Sequence, residues 1–472
     1  MRFYCFIFSL FFSFPLFAQD STVTYTAEIS VAAASGTTPF WMQSNQNGTI
    51  PDNGNFISGK WGVSKIYHPH NPRQIQWSGQ VELITNQMQK TAIFLSNAYL
   101  ALSYKKLELA IGQRNRRTGI LDSTLSMGSM TVSQNARSSP GIQLSSREYV
   151  TIPGTNQFLS FKASYSESML RGSDLLIGPA QMVHRTYLHQ KTLYLKWGNP
   201  SNNLRLWTGI NHQVIWGGEA EIFPIYKDSP LPVYRKIVFG QKRDGKLIGN
   251  HFGSYDVGIS IPLTNWSMLV YKQSLFDNGS LFKVRNFQDG LIGVSLKNKN
   301  NTLQDKKFRF STLLFEFISS KNQRNSFNNQ VSIVDNLGNY YNGYIYQNGW
   351  SYLGKNIGSP MIPSQSSTNP DLPRNNSQFS NNNRIEGFHL GAHFTMEQLF
   401  FTVKSTYSHN LGTYIAPFES KKSQASIYLK VEKMLETLGG FSTFLIISSD
   451  IGGLYPNSNG ALIGISKKGF LD

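Results

Sequence analysis

The chain has 472 residues, of which 40% are hydrophobic, 13% aromatic and only 15% charged, whereas ordinary soluble domains carry about 25% charged residues. Lys and Arg outnumber Asp and Glu by 44 to 27, a formal charge of +17, which calls for anionic partners such as nucleic acid, lipid phosphate or acidic glycan. The one cysteine, Cys5, lies in an N-terminal leader, so disulfide scaffolds, cysteine nucleophiles and Cys-ligated metals are excluded.

The leader comes first in chain order. Met1-Arg2 precedes an apolar run from Phe3 to Ala18, the arrangement of a charged n-region, an h-region and a small residue at the cleavage point. The run is shorter than the ~20 residues a spanning helix needs, and Pro15 interrupts it. Residues 1–18 are therefore assigned as a signal peptide and 19–472 as the exported domain. Export disfavours nucleic acid as the partner. Cleavage leaves 43 basic against 27 acidic side chains, spread along the chain without a compact run.

After Ala18 no apolar stretch is long enough for a membrane helix, and residues 19–60 show no helical periodicity. Alternation with period two recurs instead. Val23, Tyr25, Ala27 and Ile29 share one face; Leu107, Leu109 and Ile111 alternate with Glu108, Ala110 and Gly112. Leu193, Leu195 and Trp197 alternate with Thr192, Tyr194 and Lys196, and Leu206, Thr208 and Ile210 with Arg205, Trp207 and Asn211. The pattern continues through Phe401, Val403 and Tyr407 to Ala425, Ile427, Leu429 and Val431. A soluble sheet with one wet face alternates in the same way. Two features favour a membrane barrel: the strands run the length of the chain, and aromatics such as Tyr99, Tyr104, Trp197, Trp207 and Tyr407 crowd strand ends like an interfacial girdle. The expected fold is all-β, a transmembrane antiparallel β-barrel of roughly 16–18 strands with long extracellular loops.

Two connections stand out. Residues 354–384 contain Pro360, Pro363, Pro370 and Pro373 among Asn and Ser. Such a composition builds no core and predicts a long exposed outer loop, with an interdomain linker as the alternative. Residues 112–147 carry Arg114, Arg116, Arg117, Arg137 and Arg147 among Ser, Thr and Gly.

Sugars are bound by aromatics on their apolar faces and by polar side chains matching hydroxyls, and acidic sugars add a demand for the planar fork of arginine. Arg114, Arg116 and Arg117 with Asp122 follow directly on a strand, and Arg137 comes later in the same connection. They form a candidate polysaccharide site, an arginine–carboxylate network stiffening the lumen, or contacts to lipid phosphate. His189-Gln190 and His212-Gln213, with Trp216 and Glu219 close by, are candidate glycan ligands or polar lumen filling. A metal site from His189, His212 and Glu219 matches no known spacing, and His68 and His70 read as plain loop. No Gly-x-Ser-x-Gly elbow, His-Glu-x-x-His helix or phosphate-binding glycine loop occurs. No catalytic residue, cofactor or metal is assigned, although a glycosidase pair of carboxylates distant in the chain escapes such a search.

Several strings carry a family resemblance: Pro39-Phe40-Trp41-Met42 followed by Asn45-Gln46-Asn47-Gly48, Gly112-Gln113-Arg114-Asn115-Arg116, and Leu121-Asp122-Ser123-Thr124-Leu125-Ser126-Met127-Gly128-Ser129. Asn135-Ala136-Arg137, Tyr187-Leu188-His189-Gln190-Lys191, Asn211-His212-Gln213-Val214-Ile215-Trp216-Gly217-Gly218, Asn339-Tyr340-Tyr341-Asn342, Gly349-Trp350 and Asn383-Arg384 follow in order. In sequence and spacing together, the chain resembles the Bacteroidetes-like branch of the Wzi-type capsule assembly family. The resemblance implies an outer-membrane barrel of about eighteen strands that acts as a lectin, holding capsular polysaccharide or exopolysaccharide at the cell surface without catalysing a reaction. It also implies a small helical bundle at the periplasmic end in enterobacterial members, from which residues 19–60 depart. The expected partners are an exported polysaccharide, acidic to match the basic chain, and outer-membrane lipids. Composition alone would favour an alternative, an outer-membrane porin with an anion-favouring lumen.

Overall fold

The computed structural model describes residues 22–68, 74–174, 182–199, 204–218, 230–243, 246–277, 287–299, 308–323, 338–343, 345–436 and 439–471. The signal peptide assigned to residues 1–18, and His70 and Glu219, lie outside them.

Eighteen long strands form one closed antiparallel barrel. In chain order they are β1 (Val23–Ala34), β2 (Phe56–Lys65), β3 (Ile75–Gln87), β4 (Thr91–Tyr104), β5 (Leu107–Gln113), β6 (Pro140–Ser146), β7 (Leu159–Met169), β8 (Tyr187–Trp197), β9 (Arg205–Trp216) and β10 (Asn250–Pro262). The second half comprises β11 (Trp266–Asp277), β12 (Gly290–Asn298), β13 (Phe308–Ser319), β14 (Ile385–Met396), β15 (Leu399–Gly412), β16 (Pro417–Leu435), β17 (Phe441–Gly452) and β18 (Ser458–Phe470). Each pairs with its chain neighbours, and β1 pairs with β18 from Thr24 opposite Phe470 to Ala34 opposite Gly460. Closure leaves no unpaired edge, the condition for a sheet to cross a membrane.

The alternation read from the sequence sets the two faces of the wall. Leu107, Leu109 and Ile111 are 42–55% exposed on the outside, while Glu108 and Ala110 between them are buried. Ile29 and Val31, and Ile463 and Ile465, extend the same apolar belt around the closure seam. The start of β1 at Val23, the end of β18 at Phe470 and the tight turns at Lys105-Lys106 and Glu397-Gln398 lie at one rim. The strand ends that flank the long connections 35–55, 114–139, 170–186, 217–249 and 320–384 all lie at the other. In outer-membrane barrels that asymmetry marks the periplasmic and extracellular ends respectively.

The hydrophobic core occupies the lumen, where described segments of three extracellular connections fold inward. Phe40, Trp41 and Met42, on the short helix α1 (Phe40–Gln43), are buried there; the Phe40 N–H donates to the Asp450 carboxylate at 2.7 Å and the Trp41 indole to Thr406 Oγ1 at 3.0 Å. Leu125, Met127 and Met130 of the 114–139 segment are fully buried, and Tyr340, Tyr341, Trp350 and Ile362 close over them. The Tyr341 hydroxyl donates to the Met130 carbonyl at 2.6 Å. Contrary to the expectation from composition, residues 354–384 contribute to the core. Ile357, Met361, Ile362, Leu372 and Phe379 are buried, and the exposed positions are Gly354 and scattered residues between Ser366 and Asn376. Asn381, Asn382 and Asn383 are fully buried because each amide finds a partner: the Pro373 carbonyl at 3.0 Å, Asn410 at 2.9 Å and the Tyr340 carbonyl at 3.0 Å. Polar composition is compatible with burial when every group is satisfied.

Candidate functional site

The arginine-rich connection begins where β5 ends at Gln113. Three of its five sequence candidates are engaged within the fold. Arg114 turns back to the wall, 2.6 Å from Glu108 Oε1, with its guanidinium 4.7 Å from the Tyr99 ring centre. Arg117 donates to the Ser123 carbonyl. Asp122 is fully buried and accepts from the N–H groups of Thr124 and Leu125, both at 2.9 Å, and from Ser295 at 2.8 Å, with Lys297 Nζ at 3.2 Å. Burial pushes its carboxyl up, but the Leu125 and Thr124 N–H groups and Lys297 outweigh that and hold it well below the usual carboxylate range. Asp122 is therefore the pivot that fixes the turn of the inserted segment on β12.

Arg116 is placed differently. It lines a pocket together with Arg137, Gln190, Gln134, Tyr352 and Ile357. Gln190 reaches this pocket from β8. The Arg137 guanidinium lies 3.4 Å from the Phe94 ring centre, and its buried Nε has no hydrogen-bond partner. Among the described residues no carboxylate pairs with either arginine. Burial, then the nearby Arg114, lowers Arg116 to about 10. Burial also lowers Arg137; the Tyr352 phenol opposes this and Arg171 adds to it. Both remain cations at neutral pH. Two partly desolvated guanidinium groups without a counter-charge make a site that an anion stabilises. The fold thus brings Arg116, Arg137 and Gln190 together and leaves Arg114, Arg117 and Asp122 in the framework. Phe94, Gln134 and Tyr352 carried no signal in the sequence, because nothing in their spacing links them to the arginines.

The two His-Gln dipeptides are split by strand alternation. Gln190 and Gln213 pair across β8 and β9 on the lumen side, where Gln213 Nε2 donates to Asn211 at 3.3 Å. His189 and His212 have the same parity as Ile210 and the 42%-exposed Leu193, and so lie on the outer face. They are buried there under the helix α2 (Pro230–Phe239). His189 Nδ1 is 2.5 Å from Glu167, and His212 Nε2 is 3.0 Å from His251. Trp216 shares this outer patch, 5.7 Å from Tyr234 of α2. His189, His212 and Trp216 therefore stand apart from the arginine pocket.

Residues 30–410 match the family model described as Capsule assembly protein Wzi. No curated protein sequence matches the chain. Among solved structures, the chain is similar to Wzi of Escherichia coli, described as an outer membrane protein involved in group 1 capsule assembly and a carbohydrate-binding β-barrel. The likeness covers 94% of this chain and 85% of that one at 14% identity, with a TM-score of 0.59. OccK2 (OpdF) of Pseudomonas aeruginosa matches over 96% of this chain and 98% of its own at 13% identity and TM-score 0.49. Acinetobacter baumannii OccAB4 matches over 96% and 99% at 11% and 0.47. Taken with the closed eighteen-stranded wall and its filled lumen, the family match over residues 30–410 establishes that this chain belongs to the Wzi capsule assembly protein family.

Proposed function

We propose that this outer-membrane barrel binds an exported polysaccharide at its extracellular end and holds it at the cell surface, and that the Arg116–Arg137 pocket takes an acidic sugar of that polymer. The N-terminal leader serves as its export signal. The observation that carries the reading is the pair of guanidinium groups on one pocket without a carboxylate partner, beside Gln190 and the Tyr352 ring. A carboxylate offers each arginine a charged hydrogen bond, and Gln190 and Gln134 match sugar hydroxyls. The role is binding, in line with the carbohydrate binding described for the Escherichia coli protein. The filled lumen weighs against the anion-selective porin, since Trp41, Leu125, Met127 and Met130 stand where a conducting path would run.

The test is the double variant Arg116→Ala/Arg137→Ala in a strain making the polymer. The barrel assembles, polymer appears in the medium and total synthesis is unchanged. With ~1.5–3 kcal/mol per charged hydrogen bond, affinity for an acidic oligosaccharide falls by at least about ten-fold, and salt weakens wild-type binding. Normal polymer retention by an assembled double variant would refute the site; normal retention after deletion of the whole gene would refute the function.

A further inference from the structure

The helix α2 does not cover the barrel mouth; it lies against the outside of the wall. Its inner side is fixed to outward-facing strand residues. The Tyr234 hydroxyl donates to Glu167 at 2.5 Å, Ile237 and Val233 pack with Val214 and Trp216, and the Lys191 ammonium bonds the Val238 carbonyl. The outer side is a stripe at four-residue spacing: Leu231, Arg235 and Phe239. Leu231 is 77% and Phe239 59% exposed, and Arg235 between them is exposed. The wall beneath continues into the apolar belt through Tyr165, Met169 and Leu193, which are 37–42% exposed. The helix also packs on the extracellular ends of β7, β8 and β9, the level at which outer-leaflet headgroups meet acyl chains. Apolar side chains flanking a cation at that height fit an amphiphile with an anionic headgroup.

We propose that the outer face of α2 docks a phosphorylated, acylated glycolipid of the outer leaflet, with Leu231 and Phe239 on its acyl chains and Arg235, next to Lys236, on its phosphate. The stripe extends the membrane-facing belt, and in the asymmetric outer membrane the phosphate-bearing lipid of that leaflet is a glycolipid. Neither the arginine pocket nor the bound polymer enters into it.

The full-length barrel, reconstituted separately with lipid A and with phosphatidylglycerol, is stripped with detergent, and retained lipid is counted by native mass spectrometry. Lipid A is retained in preference to phosphatidylglycerol. Arg235→Ala lowers that retention about five-fold, the worth of one basic side chain at an anionic surface, and Arg235→Lys restores most of it. Leu231→Ser/Phe239→Ser lowers it further. Heat-modifiable mobility and Arg116–Arg137 polymer binding stay unchanged, because Arg235 is exposed and remote from the lumen. Equal retention of phosphatidylglycerol, or lipid A retention indifferent to all these variants, overturns the proposal.

Discussion

The backbone N–H of Met127 donates to the Glu316 carboxylate across 2.7 Å, joining an inserted segment to a strand residue 189 positions further along. The same carboxylate accepts from the Ser126 hydroxyl at 2.6 Å and the Tyr271 phenol at 2.5 Å. All four residues are enclosed in the lumen. Glu316 is thus a latch between the wall and the material that fills it.

Glu316→Ala leaves three enclosed donors without an acceptor, each worth ~1.5–3 kcal/mol to a charged partner. The inserted segment is expected to release. In planar bilayers the wild type shows little steady conductance, Glu316→Ala shows frequent openings, and Glu316→Gln, which keeps an acceptor, lies between them. A wild-type barrel that already conducts like an open pore contradicts the latch.

Asp122 makes the filling acid-sensitive. Its carboxyl is held below the ordinary ~3.9 of an unfolded aspartate, because the N–H groups and Lys297 outweigh the effect of burial. A depressed carboxyl contributes stability at pH values above the unfolded value, and that contribution is lost as pH falls through the folded one. Thermal unfolding in detergent is expected to be flat from neutral pH to ~4 and to weaken below. Asp122→Asn should lower stability by about 2 kcal/mol at neutral pH and narrow its gap to wild type in acid.

Close packing gives a third prediction. A methyl group on Gly391 of β14 would lie 2.9 Å from Leu125 Cβ. Gly391→Ala is expected to cost about 1–3 kcal/mol as an overpacking change. Leu125→Ala costs about 2–5 kcal/mol as a cavity. The double variant should be less destabilised than the two single effects added, because Leu125→Ala removes the Cγ and Cδ2 atoms 3.4 Å from the added methyl and leaves a short side chain with room to shift away from it. Simple additivity of the unfolding midpoints argues against the contact.

The wall was legible in the sequence because each strand repeats one rule: apolar at every second residue, as at Leu107, Leu109 and Ile111. The same rule would have parted His189 from Gln190, since adjacent strand residues face opposite ways; reading the dipeptides as units obscured it. The lumen filling was not legible. Leu125, Met127 and Met130 are separated by Ser, Gly and Ser, and no period links them to Trp41 or Trp350. In 354–384 the dominance of Asn and Ser signalled solvent, yet the buried amides of Asn381, Asn382 and Asn383 bond the Pro373 carbonyl, Asn410 and the Tyr340 carbonyl. Which arginine would be left free depended on where Glu108 and Ser123 lie, a tertiary fact.

Epitope insertion separates the buried from the exposed part of 354–384. A tag after Ser366, which is exposed, should be tolerated and reached by antibody on intact cells. The same tag after Ile362, which is fully buried, should disturb the filling and raise permeability to small solutes. Labelling at Ser366 only after the outer membrane is broken would reverse the assigned orientation.

The bonds that fasten the inserted segments have an order built into them. Phe40 and Trp41 are made early in the chain, but their partners Asp450 and Thr406 lie 410 and 365 residues later. Met127 waits likewise for Glu316. The segment around Phe40 and Trp41 therefore has nothing to hold until β15 and β17 are in place, whereas the 114–139 segment already finds partners on β8, β9 and β11 at Tyr194, Asn211 and Gln273. The Phe40–Trp41 segment is thus the part of the filling that is fastened last, when the closing strands arrive. A variant that cannot complete this step would leave a hole in the envelope rather than a missing protein.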